Sequence, residues 1–201
     1  MRAACLVFFL GFMTGGIARP ESTPSEALLV LSKGDHTLAI VDPSNLKVVA
    51  KVPVGEDPHE VIASTDGKFA YVSNYGGGAY NTLAPIDLIS QKALPSIDLG
   101  PLRGPHGLVF VGGKTWFTAE AAKAIGRYDP AKKAVDWIMG TGQNRTHMIF
   151  VSEDMKRIFT TNVSSGTVSI IEKSNRTGFG GPPSQAGRRS DSRGPGGPPR
   201  G

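Results

Sequence analysis

The sequence predicts an all-β fold, a β-propeller of four-stranded antiparallel blades of which about three and a half are present. Two observations carry this. A pair of short apolar strands, each time opened by a histidine, recurs with His59, His106 and His147 standing 47 and 41 residues apart, and no helical apolar period lies between the copies.

The copy from Pro58 to Asn74, PHEVIASTDGKFAYVSN, reads as two strands joined by the turn TDGK, in which Asp66-Gly67 is expected to supply the positive φ of a tight hairpin. The others are PHGLVFVGGKTWFTAE (Pro105 to Glu120) and THMIFVSEDMKRIFTTN (Thr146 to Asn162). In each, an apolar strand follows the histidine, a turn ends in Lys68, Lys114 or Lys156, and a second apolar strand closes on a polar residue.

Third strands follow as LAPIDL, AIGRYD and TVSIIE, and outermost strands as KALPSIDLG and AVDWIMG. Upstream, ALLVLSK, HTLAIVD and KVVAKVPVG fit the second, third and fourth strands of an earlier blade. Asp42-Pro43 and Asp129-Pro130 occupy one turn, where proline presets the backbone. The divisions are a partial blade over 27–55, blades over 56–100 and 101–141, and a partial blade over 142–172. Fourteen strands result, too few for a closed ring, so the propeller is read as incomplete.

Both ends differ from this middle. Residues 1–18 have Arg2, an apolar run from Ala3 to Met13 and small residues at Gly16 and Ala18, the layout of a secretory signal peptide; 19–26 is a polar leader. Export to a periplasm or the exterior is expected, with no transmembrane segment in the mature chain, because the apolar run is too short to span a bilayer. The only cysteine, Cys5, falls inside the signal, which excludes disulfide and thiolate-metal chemistry from the mature chain. The formal charge of +5 resides wholly in the Gly/Pro/Arg-rich stretch 173–201, expected to be disordered. The repeats carry no net charge, so no strong nucleic-acid signal exists outside the tail.

Pro58 through Asn74, and above all Tyr71-Val72-Ser73-Asn74 after Asp66-Gly67-Lys68, resembles the repeat of the YVTN family of β-propellers. The third copy, Ile158-Phe159-Thr160-Thr161-Asn162, is looser, and the second, Trp116-Phe117-Thr118-Ala119-Glu120, departs at its last position. The resemblance covers roughly residues 27–172. It implies a bacterial, exported protein with a seven-bladed parent. It also implies likeness in shape to lactonases, quinoprotein dehydrogenase subunits and haem-containing nitrite reductase domains, which leaves activity open.

The candidate site is the row of histidines at the start of the innermost strands. His59, His106 and His147, with Arg103, Arg145 and Glu60 near them in sequence, form a candidate channel mouth for an unidentified small molecule or protein partner. No cofactor and no catalytic residue is expected. A three-histidine metal site is the lesser alternative, since neighbouring blades should hold imidazoles too far apart for one ion. The competing structural reading gives each histidine a hydrogen bond to a neighbouring turn and has Asn74 and Asn162 satisfy loop backbone, with Asp66 and Gly67 as the repeat positions of the hairpin turn. Three functions remain in view: a non-catalytic binding scaffold, a fragment of a lactonase-like or quinoprotein dehydrogenase-like enzyme or electron-transfer domain, and polyanion binding through loops and the basic tail.

Overall fold

The computed structural model describes residues 22–173; the expected signal peptide, most of the tail and Cys5 lie outside them. Every regular element except one short 3₁₀ turn at Gly76–Gly78 is a strand. The strands run β1 (Leu28–Ser32), β2 (Thr37–Asp42), β3 (Lys47–Pro53), β4 (Pro58–Ala63), β5 (Phe69–Asn74), β6 (Thr82–Asp87), β7 (Lys92–Ala93) and β8 (Ile97–Asp98). They continue as β9 (Pro105–Val111), β10 (Lys114–Ala119), β11 (Ala124–Asp129), β12 (Ala134–Gly140), β13 (Thr146–Val151), β14 (Arg157–Asn162) and β15 (Thr167–Glu172). They form four antiparallel meanders: β1-β2-β3, then β4-β5-β6 with β7 and β8, then β9-β10-β11-β12, then β13-β14-β15. The fold is an all-β stack of partial propeller blades.

Strands bury both faces when a sheet lies on either side, and that explains the continuous apolar runs in the second and third strands. Leu38, Ile40 and Val52 of the first sheet meet Ala70, Val72 and Ile86 of the second. Leu83 and Tyr71 of the second meet Phe117 and Tyr128 of the third. Trp116 and Ile125 of the third meet Ile149, Val151 and Ile158 of the fourth, with Trp137 packed edge-on to Trp116 at 5.4 Å. Each sheet thus covers its neighbour's apolar face. Among the described residues the outer faces of the two end sheets remain open: Val30 is 48% exposed, and Val168 and Ile170 are each 64% exposed.

The turns repeat as the sheets do. After the third strand, Asp42, Asp87 and Asp129 each accept a hydrogen bond from the backbone N–H two residues on, and Leu46, Gln91 and Lys133 then take positive φ. Between first and second strands, only Gly67 of the expected Asp66-Gly67 pair takes positive φ, at 67°. Asp66 instead accepts from Ser64 Oγ at 2.7 Å and from the Lys68 amide at 3.2 Å. Ser152, Asp154 and Lys156 repeat those bonds in the fourth sheet, where Met155 adopts the conformation that Gly67 has in the second.

One strand expectation needs correction. KALPSIDLG is two two-residue strands rather than a single outer strand, because Pro95 supplies no N–H to the ladder and Pro85 stands near the gap in β6.

Candidate functional site: a histidine row at the starts of the inner strands

The first strands of the last three sheets, β4, β9 and β13, abut one another, and each has a register shift beside its histidine. A bulge adds twist and re-aims a side chain. A hydroxyl on each second strand fixes this geometry. Ser73 Oγ accepts from the Glu60 amide and donates to the His106 carbonyl, and Thr118 Oγ1 accepts from the Gly107 amide and donates to the His147 carbonyl. Thr161 Oγ1 accepts from the Met148 amide in the same way. The backbone of every histidine-led strand is therefore tied to its own sheet, and two of them also to the preceding sheet.

Close approach follows from Gly107. A Cβ there would lie 2.6 Å from the His147 carbonyl oxygen and 2.8 Å from Met148 Cα, so no larger residue lets β9 and β13 come this near. The imidazoles form a continuous row, with ring centroids 4.1 Å apart between His59 and His106 and 3.9 Å between His106 and His147. Neighbouring sheets thus bring consecutive imidazoles into ring contact, although His59 does not join His106 and His147 among the donors that cluster closely enough for one ion.

The three imidazoles differ in environment. His59 Nδ1 lies 2.9 Å from Lys33 Nζ, which also pairs with Asp57 at 2.8 Å. Burial first, and then the Lys33 charge, holds His59 below the ordinary histidine range. His106 is 2% exposed, and its Nδ1 is buried without a hydrogen-bond partner. Burial, reinforced by the flanking histidines, lowers its pKa to about 4. His147 Nδ1 bonds to Glu120 Oε1. Two of the three make the imidazole-to-turn hydrogen bond of the structural alternative, His59 to Lys33 and His147 to Glu120, each in a turn of the preceding sheet, whereas His106 Nδ1 makes none.

Glu120 anchors the far end. Its other oxygen accepts from Tyr75 Oη at 2.5 Å and lies 3.5 Å from Arg145 Nε. Burial works to raise its pKa, but the bonds from Tyr75 and His147 overcome that and hold the carboxyl below its usual range. The oxygen and nitrogen donor atoms of His106, Glu120 and His147 all lie within 4.8 Å of one another.

Other candidates are placed elsewhere. Arg103 donates to the Ala79 carbonyl at 3.0 Å, and Glu60 takes part through its amide. Asn162 Nδ2 donates to Thr167 and Ser169 hydroxyls, and Asn74 Nδ2 to Thr82, so both clamp the third strand rather than loop backbone. Glu120 holds the same repeat position as these asparagines. Its departure from asparagine was the signal that it serves the histidine row; Tyr75, in the glycine-rich loop, gave none.

No protein-family model matches the chain. A dihydro-haem d1 dehydrogenase of Pseudomonas aeruginosa is 32% identical over 79 residues, which is 39% of this chain and 16% of that protein. A solved chain of Kuenenia stuttgartiensis hydrazine synthase superposes with a TM-score of 0.61 at 18% identity, covering 81% of this chain and 53% of that one. The chain therefore spans about half of the solved neighbour and a smaller part of the curated relative. What these likenesses establish is the fold: a β-propeller architecture of which four successive sheets are described here.

Proposed function

We propose that the chain is a YVTN-type, exported propeller portion whose blade-start histidines bind a small ligand at the mouth of the central channel. The observation that carries this reading is the unbroken row His59, His106, His147, whose middle member is buried with an unsatisfied ring nitrogen. A fold that needed only packing at this place would fill it with apolar side chains, since an unpartnered buried polar atom costs roughly 1–3 kcal/mol. Lys33 and Arg145 flank the row, each paired with a carboxylate, Asp57 and Glu120 respectively, so charged groups of both signs border the place where a ligand would lie.

The curated relative's name makes an iron tetrapyrrole with carboxylate substituents the first ligand to try. Haemin titrated into the purified chain should shift its visible spectrum stoichiometrically, and His106→Gln should abolish the shift. A spectrum indifferent to that substitution, together with a thermal-shift screen of small anions that finds no histidine-dependent ligand, rejects the reading.

A second reading has these sheets as part of an enzyme or electron-transfer propeller, and the 32% identity to a dehydrogenase favours it. Redox turnover on addition of haemin and an electron acceptor would separate it from simple binding. Export itself is tested by the mass of the secreted chain, which should correspond to cleavage after Ala18. No helix among the described residues is long and apolar enough to cross a membrane.

A further inference from the structure

We propose that His106, Glu120 and His147 form a binding site for a divalent transition-metal ion of the zinc class, held by two imidazoles and one carboxylate. This rests on the reading of the histidine row as a ligand site and names the ligand class.

Three arguments support it. The first is distance. Four ligands at 2.0–2.2 Å around an ion stand roughly 3.4 Å apart, and the donor atoms here lie within 4.8 Å of one another, so shifts of no more than about 1.4 Å would bring them to that spacing.

The second is chemistry. Two neutral nitrogens and one carboxylate oxygen form a borderline donor set that takes zinc or cobalt and leaves magnesium and calcium to all-oxygen sites. His106 is buried and its Nδ1 has no protein partner, so an ion met by that nitrogen would complete its bonding.

The third is the surrounding shell. A ligating carboxylate is usually oriented by hydrogen bonds to its other oxygen. Tyr75 Oη and Arg145 Nε both approach Glu120 Oε2, while Oε1 faces His147. Lys33 sits against His59 Nδ1 at the opposite end of the row, and His59 is not among the clustered donors, so it is not a ligand in this arrangement. Three protein ligands leave a fourth position for water or a ligand atom.

The test uses the full chain with Cys5→Ser, which removes its single thiol. Zinc chloride titrated by calorimetry should show one ion per chain, and cobalt chloride should give the visible absorption bands of a four-coordinate ion. Magnesium chloride should give neither. His147→Gln, at the most accessible of the three ligands, should weaken zinc binding by at least about 100-fold, and Tyr75→Phe, which leaves the ligands in place, by about 10-fold. Sub-stoichiometric zinc uptake, a six-coordinate cobalt spectrum, or affinity unchanged in His147→Gln overturns the site. If zinc fails while haemin still binds in a His106-dependent way, the metal inference alone falls. If neither binds, the ligand-site reading falls with it.

Discussion

Gly107 Cα and the His147 carbonyl face each other so closely that even a methyl group would stand 2.6 Å from that oxygen. The obstacle would be backbone on a neighbouring strand, which cannot swing aside as a side-chain tip can. Gly107→Ala should therefore cost about 1–3 kcal/mol in a urea titration, the usual range for overpacking. It should also part His106 from His147, weakening zinc binding. An alanine variant as stable as the parent would show that β9 and β13 are not in contact here.

Thr118 supplies a second test of how the sheets are fastened. Its hydroxyl is fully buried and serves both the Gly107 amide and the His147 carbonyl. Thr118→Val keeps the shape and strands both partners, so a loss of about 1–3 kcal/mol is expected, with Thr118→Ser close to the parent. Equal stability of the valine and serine variants would remove the hydroxyl from the account.

Tyr71 sets an alkaline limit. It is 4% exposed, stacks on Phe110 at 5.9 Å and lines a cleft of about 800 Å³ between the second and third sheets with Tyr128. Burial first, and the nearby Tyr128 next, pushes its pKa up to about 12. A raised folded-state pKa leaves stability intact below the unfolded value near 10 and removes it as pH rises toward 12, by roughly 2–3 kcal/mol. Tyr71→Phe should flatten that part of the stability profile, and tyrosinate absorbance near 295 nm should lose its latest-titrating component.

The open faces of the end sheets predict self-association. Val168 and Ile170 project from β15 with no sheet among the described residues to cover them. Light scattering should find species larger than a monomer at micromolar concentration. Val168→Lys with Ile170→Lys should restore the monomer while changing stability by no more than about 0.5 kcal/mol per site, as for other exposed positions. A parent chain that is monomeric at high concentration would contradict this.

Much of the architecture was legible because strand pairs, turn residues and spacing repeat together, and each repeat obeys the same local rules. The outer strand of the second sheet was not, since its apolar pattern is sound and the break comes from Pro95 meeting a second proline, Pro85, across the ladder. The row of histidines could be located but not its closeness: that depends on Gly107, whose importance lies in what faces it across a gap between strands far apart in sequence. Glu120 was visible only as an oddity, an acid at a position where Asn74 and Asn162 clamp a neighbouring strand. Its partners Tyr75 and His147 come from different sheets, and no linear spacing relates them.

Because every sheet rests only on those beside it, cohesion here is a chain of pairwise loyalties rather than one shared centre. Amide hydrogens in β5, β6, β10 and β11, whose sheets are flanked on both sides, should exchange with solvent most slowly, while those in β1 and β15 should be lost first. Damage at either extremity would therefore spread inward one layer at a time, and the imidazole cluster, spanning the second to fourth layers, would lose its His147 limb before its His59 limb if melting began at the carboxyl end.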